Sequence, residues 1–242
     1  MPVQNLTITT YMTDVRNLLR PSAFMEISQE IATADARELE FDDPRLIAAH
    51  NAVWVLARMK MVFRRLPSRF ETVQLSTWHK GLSSLFFLRD YRLTAPDGEP
   101  LVDATSSWVI MELDERRALR PDVVTDIIPE DPVKPGHALE IPAGKVAVPR
   151  GVAMEKAGEH VVKYSDVDSN RHVNNTRYVV WAMDCLPQEL TFGSALKELE
   201  INFNREARPG ETVELFHAFA DGAHYIEGLE SGTRIFICKM TF

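Results

Sequence analysis

Residues 59–75 and 199–215 align without a gap, and six of the 17 positions are identical. The matches are Phe63 with Phe203, Arg65 with Arg205, Glu71 with Glu211, Thr72 with Thr212, Val73 with Val213 and Leu75 with Leu215. Average residue usage gives roughly one such match by chance, so the chain carries an internal repeat. Each copy sits in the same series of elements. In the first half, residues 3–11 read as a Thr- and Ile-rich strand. Pro21 opens a helix over 21–38 in which Phe24, Ile27, Ile31 and Ala34 recur at three- and four-residue steps. Residues 39–52, with Asp42, Asp43 and Pro44, read as a loop or lid. From Val53 the pattern alternates, Met59, Met61 and Phe63 on one side and Arg58, Lys60 and Arg64 on the other. Strands follow at 72–82, 85–94 and 101–113.

Between residues 114 and 158 periodicity fades, and Pro121, Pro129, Pro132, Pro135, Pro142 and Pro149 mark a long crossing linker. Beyond it the first pattern returns: a strand near 160–164, a buried helix, then strands at 196–205, 212–220, 223–230 and 234–241. The reading is an N-terminal domain over 1–113, a linker over 114–158 and a C-terminal domain over 159–242. Two repeats of one long helix against an antiparallel sheet give an α+β architecture in which each sheet wraps its helix.

A chain of 242 residues with 45% hydrophobic content can bury a substantial core. Its net charge of −8 argues against a nucleic-acid binder, whose affinity rests on clustered Lys and Arg. Cys185 and Cys238 provide neither a disulfide framework nor a metal-ligand spacing, which fits reduced cytosol and predicts no metal and no cofactor. The N-terminus lacks a basic stretch followed by an apolar run, and nowhere do about 18 apolar residues follow one another. The expectation is a soluble, unprocessed, cytoplasmic protein without membrane contact.

Chemistry concentrates in residues 164–186. Asp166, Asp168, Asn170 and His172 fall on every second position, so an extended backbone turns all four to one face. Asn174 then caps a helix whose interior is apolar nearly all round until Pro187. A carboxylate, an amide and an imidazole thus stand beside unpaired helix N–H groups able to receive developing negative charge. The spacing of Asp166, Asp168 and Asn170 copies the start of a calcium loop, but Arg171 replaces the required Gly and Arg177 the closing Glu. An ordinary polar turn, satisfying local backbone groups, is the bland alternative.

The run from Asp166 to Trp181 closely resembles the second-domain motif of acyl-acyl carrier protein thioesterases, which have a tandem hot-dog fold. The segments 54–59, 71–78 and 106–111 are similar to first-domain segments of that family, so the resemblance covers most of the chain outside the linker. Chain length and the lack of a transit segment resemble bacterial members more than plastid ones. The resemblance implies hydrolysis of fatty acyl-acyl carrier protein, releasing the free acid and ending fatty acid synthesis. By resemblance the catalytic set falls on Asp168, Asn170, His172 and Glu206. Many plant members have a Cys after that Glu, where this chain has Ala207. The acyl slot is implied in the first domain, which nominates Met25, Trp54 and Met59.

For thioester hydrolysis, Glu206 or Asp168 would activate water while His172 orients or shares the proton and Asn170 positions the carbonyl. Strict alternation from Leu199 puts Glu206 on the polar face of its strand, where a solvated carboxylate is the bland reading, and a bulge near Arg205 or a rim position would reconcile it with the site. An acidic carrier protein would dock on Arg58, Lys60, Arg64, Arg65 and Arg69. Remaining alternatives are a coenzyme A thioesterase, a non-catalytic acyl-binding module and a hot-dog dehydratase, and a homodimer is left open.

Overall fold

The structure is a computed structural model that describes residues 2–127 and 136–242; Pro129, Pro132 and Pro135 of the expected linker lie outside the described residues. The first half contains β1 (Val3–Thr7), α1 (Pro21–Glu38), α2 (Asp43–His50), β2 (Ala52–Phe63), β3 (Thr72–Ser83), β4 (Phe86–Thr94) and β5 (Pro100–Glu112). A short β6 (Ala118–Leu119) pairs with β5. The second half contains β7 (Glu155–Val161), α3 (Asn175–Asp184), α4 (Gln188–Gly193), β8 (Glu198–Phe203), β9 (Thr212–Ala220), β10 (Ala223–Glu230) and β11 (Thr233–Thr241).

The strands form one antiparallel sheet in the order β1-β3-β4-β5-β2-β8-β11-β10-β9-β7. Read from its centre, the second half repeats the first in mirrored order, and each half-sheet wraps its own long helix. This is the tandem hot-dog arrangement. Strand β2 meets β8 over five pairs, Arg58↔Asn202 to Val62↔Glu198. Met59 and Met61 on β2 and Leu199 and Ile201 on β8 therefore share one face, and all are 0–2% exposed. A single apolar core runs through both halves, with Phe24 of α1 and Trp181 of α3 buried in it. Each such large side chain contributes about 1.5–3 kcal/mol by leaving water.

Duplication is visible in backbone detail. Arg64 and Arg65 both donate their N–H to Leu101 O, and Asn204 and Arg205 both donate theirs to Ile235 O. Glu71 pairs with Arg65 at 2.7 Å and accepts the Ser68 N–H, as Glu211 pairs with Arg205 at 3.6 Å and accepts the Arg208 N–H. Two of the identities found in the aligned segments, the Arg and the Glu, are thus the residues that close this turn.

Several elements differ from the sequence reading. The supposed loop at 39–52 contains α2, capped by the Asp42 side chain at the Arg45 N–H and ended by Asn51 in the left-handed region. The first strand stops at Thr7 and gives way to a 3-10 turn at Thr10–Met12, and β7 lies earlier than the strand expected near 160–164. Residues 136–154 cross the outer face of the sheet, held by polar side chains of the strands beneath. Asp90 accepts the Ala138 N–H at 2.8 Å, Trp78 Nε1 donates to Gly136 O, and Asn202 both accepts from Val146 N–H and donates to Gly144 O. An irregular segment has no ladder to satisfy its backbone, so these side chains take that role. Among the described residues no helix is long and apolar enough to cross a membrane.

Gly228 on β10 lies where a Cβ would fall on the Phe236 ring and 2.8 Å from Val213 Cγ1, whereas a Cβ at Gly158 would meet nothing within 4 Å. Gly228→Ala is expected to lower stability by about 1–3 kcal/mol through overpacking, and Gly158→Ala to stay within about 0.5 kcal/mol of the parent. Urea unfolding of the two variants checks this. Equal midpoints would show that the β10–β11 face repacks freely.

Candidate active site

The polar stretch folds as a tight hairpin rather than an extended row. Val167 and Val173 form an isolated antiparallel bridge, Asp168 N–H donates to His172 O at 3.1 Å, and Arg171 N–H donates to Asp168 O at 3.0 Å. Arg171 occupies the left-handed region, with φ of 64°. Alternation is lost in such a turn, and Asp166 leaves the group. Its side chain is 1% exposed and accepts from Lys163 N–H, His160 Nε2 and Arg177 Nε. Burial alone would raise this carboxyl, but the bonds from His160 and the Lys163 N–H hold it below the usual range. Asp166 is a structural anchor.

Asp168, Asn170 and His172 remain together. The Asp168 Oδ1 accepts the Asn170 N–H at 2.9 Å and lies 3.9 Å from His172 Nδ1. His172 Nε2 faces Glu206 Oε1 at 3.8 Å. Glu206 reaches this position because Asn204 and Arg205 share one carbonyl acceptor, which inserts a bulge and ends the alternation of β8. At 22–29% exposure the three side chains remain open to solvent. Asn174 caps α3 by accepting the Thr176 N–H, while Asn175, the first helical residue, lines the cavity beside His172.

That cavity is about 430 Å³ and extends from the hairpin and Glu206 into the first half of the molecule. Trp54 lines it as expected, its ring edge-on to Phe41 and Phe87 at about 5 Å and its Nε1 bonded to Phe41 O. Met25 and Met59 do not: at 0% and 2% exposure they belong to the dry core. Alternation correctly made them inward-facing, but it cannot separate core from cavity wall.

The proposed docking row also differs from a free basic surface. Lys60 pairs with Glu198 at 3.2 Å, Arg64 with buried Asp103 at 2.8 Å, and Arg65 with Glu71 and Glu99 at 2.7 and 3.7 Å. Arg58 and Arg69 lie over the Phe86 and Phe70 rings. Three of the five cations thus pair with carboxylates, which weakens the field of the row.

Two contributors were missed. Arg116, in the turn after β5, donates to Glu206 Oε2 at 2.9 Å, a contact across 90 residues that no local pattern announces. The Tyr178 hydroxyl accepts the Ala207 N–H at 3.0 Å, and burial raises its phenol well above the ordinary value. Ala207 itself is fully buried. Cys185 is pushed up to about 11 by burial and by Asp184, and Cys238 is raised by complete burial. Neither thiol lines the cavity. Among the described residues no three His, Cys, Asp or Glu side chains are grouped to hold a metal.

The first half contains the same hairpin without its chemistry. Thr13 bridges Leu19, Asp14 N–H donates to Leu18 O, Asn17 N–H donates to Asp14 O, and the Asp14 side chain accepts the Arg16 N–H. Asn17 is left-handed, with φ of 60°. By these bonds Asp14 corresponds to Asp168, Arg16 to Asn170 and Leu18 to His172. The doubled turn donors place Leu66 opposite Glu206.

Comparison with known proteins agrees with this geometry. The family model for the acyl-ACP thioesterase N-terminal domain matches residues 3–129, and that for the acyl-ACP thioesterase C-terminal domain matches residues 152–237. Oleoyl-acyl carrier protein thioesterase 2, chloroplastic, of Arabidopsis thaliana is 29% identical over 177 residues, 68% of this chain and 47% of that protein. A palmitoyl-acyl carrier protein thioesterase, chloroplastic, of Gossypium hirsutum is 26% identical over 230 residues, 90% and 55% respectively. The chain spans about half the length of the curated relatives it matches. In fold it is similar to an acyl-ACP thioesterase from Bacteroides thetaiotaomicron, with a TM-score of 0.83, 22% identity and coverage of 100% and 97%. A 12:0-ACP thioesterase from Umbellularia californica gives 0.82 at 20% identity, covering 99% and 95%. With both halves matched in order, the chain belongs to the acyl-ACP thioesterase family.

Proposed function

We propose that this protein hydrolyses the thioester of fatty acyl-acyl carrier protein, releasing the free fatty acid and so terminating fatty acid synthesis. The observation that carries the reading is His172 standing between Glu206 and Asp168 at one end of a cavity whose walls come from the other half. The first half would hold the acyl chain and the second would perform the chemistry. Family membership and the printed activities of the relatives support the same substrate class.

Of the two carboxylates, Glu206 is the better base. A 3.8 Å separation between His172 Nε2 and Glu206 Oε1 is too long for a direct bond but suits one water touching both. His172 Nδ1 lies 3.3 Å from Val173 O, an arrangement that favours the proton on Nδ1 and leaves Nε2 to accept. Asp168 is committed to the hairpin through Asn170 N–H and Asn174 Nδ2, so its role is to hold the loop and the imidazole. Water attacks the carbonyl carbon as Glu206 and His172 take its proton. The oxyanion is met by the Asn170 amide and the Asn175 N–H at the α3 N-terminus, and the C–S bond then breaks. A thiol ionises near pH 8.5, so the departing thiolate needs little acid help. Arg116 fixes Glu206 in place. Carrier-protein docking falls to the less compensated Arg58 and Arg69, and the two unpaired thiols fit the expected reduced cytoplasm.

His172→Ala and Glu206→Gln are expected to lower kcat on acyl-acyl carrier protein by about 10²–10⁴ with the fold retained. Turnover assays with circular dichroism test this, and a coenzyme A series run alongside identifies the preferred carrier. Wild-type turnover in both variants would remove the assignment. The two hairpins supply a matched comparison. Asp14→Ala and Asp168→Ala remove equivalent backbone bonds, so both should lose stability, but only Asp168→Ala should lose most of its activity.

Direct attack by water also predicts that Cys185→Ser with Cys238→Ser keeps substantial turnover, because burial disfavours both thiolates. Mass spectrometry of enzyme quenched during turnover should show no acyl adduct. An adduct on either cysteine, with activity lost in the folded single variant, would establish a covalent route instead.

A further inference from the structure

The acyl cavity ends on a band of polar side chains that thioester hydrolysis does not use. On the helix-facing side of the first half-sheet, His79 of β3 pairs with Arg89 of β4, which pairs with Ser106 of β5. Arg89 is 5% exposed, and its guanidinium donates to Asp35 of α1 at 2.6 Å, to Thr77 Oγ1 at 3.2 Å and to His79 Nε2 at 2.7 Å. A guanidinium only donates, so the imidazole nitrogen facing it accepts. Two residues along β4 in one direction, Tyr91 joins the dry core with Leu75 and Met61. Two residues in the other, Phe87 lines the cavity with Leu56 and Trp108. The polar band is therefore the cavity floor.

Helix α1 adds Gln29 to the same cavity wall, with Thr33 at its solvent-exposed rim. Gln29 Nε2 is buried and has no hydrogen-bond partner among the described residues. A buried donor without a partner is costly, and an oxygen brought by a ligand would satisfy it. Arg89 and Asp35 cancel each other's charge, and Asp42 and Asp43 also line the cavity, so a further carboxylate is disfavoured. A neutral oxygen fits. Arg89 stands on β4, separated by β5 and β2 from β8, the strand that leads to Glu206, which places that oxygen on the distal part of the chain.

We propose that Gln29 and Arg89 form a subsite for a hydroxyl or oxo oxygen on the distal acyl chain, so that oxygenated acyl thioesters are preferred to plain alkyl thioesters of equal length. This deepens, and rests on, the hydrolase reading above. A site built to bind an oxygen discriminates against a chain lacking it, because the chain's burial leaves the polar groups unpaired.

The test uses matched thioester pairs of equal carbon count, one alkyl and one with a hydroxyl or oxo group stepped along the distal half, and reads kcat/KM. A non-hydrolysable acyl-pantetheine thioether of each kind gives Kd by calorimetry, independent of turnover. At one oxygen position both readouts should favour the oxygenated chain by about tenfold or more, the equivalent of one hydrogen bond. Gln29→Met removes the unpartnered donor without breaking a bond in the structure, and it should collapse the preference by weakening the oxygenated chain and improving the alkyl one. Arg89→Met leaves Asp35 unpaired and is informative only as a folded protein, so Gln29→Met is the deciding variant. Equal kcat/KM and equal Kd within every pair, or a preference that survives Gln29→Met, would overturn the subsite. A binding preference without hydrolysis of any thioester would uphold the subsite and remove the hydrolase reading instead.

Discussion

The pairing of β2 with β8 is the constraint on which the site depends. The cavity walls belong largely to the first half and the cluster of Asp168, His172 and Glu206 to the second, so neither half contains the whole of the proposed site. Five residue pairs join them into one sheet. A slip of one residue would turn Met59, Met61, Leu199 and Ile201 outward and their charged neighbours inward, which the shared core forbids. Burial on one face thus sets the register, and the register sets the distance between cavity and hairpin.

The two halves show how one scaffold supports different roles. Both hairpins keep an Asp that binds the backbone two residues on, a left-handed residue three positions after it, and a bridge across the base. These features build the turn and survive in both copies. The positions that differ are those assigned the proposed chemistry: Leu18 stands where the second half has His172, and Leu66 where it has Glu206. In the first copy Arg16 takes the place of Asn170, pairs with Asp14 at 2.7 Å and reaches Ser194 O in the second half. What is the proposed catalytic hairpin on one side is a clamp between halves on the other.

Buried polar groups in the sheet fall into two sets on its two faces. Asp90 and Asn202 point outward and hold the crossing segment 136–154, whose backbone has no ladder of its own. Burial raises Asp90, and the Ala138 N–H and Lys80 offset part of that penalty. Arg89 and His79 face inward and line the cavity, with Asp35 paired to Arg89. Alternation along β4 separates the two sets by a single residue, Arg89 from Asp90.

By itself the sequence determined what depends on local chemistry and on period. Alternation located most strands, three- and four-residue recurrence located α1, and identities in two distant segments revealed the duplication, because the turn each segment closes needs the same Arg and Glu. Asp168, Asn170 and His172 were legible since one hairpin holds all three. The α2 caps were also written in Asp42, Pro44 and Asn51, though the charged loop-like composition hid them. Only the tertiary structure decided the rest. Glu206 joins His172 through a bulge that alternation cannot foresee, Arg116 reaches Glu206 from 90 residues away, and Asp166 turns from the row to His160 and Arg177. Met25 and Met59 proved to be core because a period of inward-facing residues states which face a side chain takes, not whether the space beyond it is filled. Lys60 of β2, and Arg64 and Arg65 just after it, proved to be paired with carboxylates, a property of packed neighbours that no run of charge in one segment records.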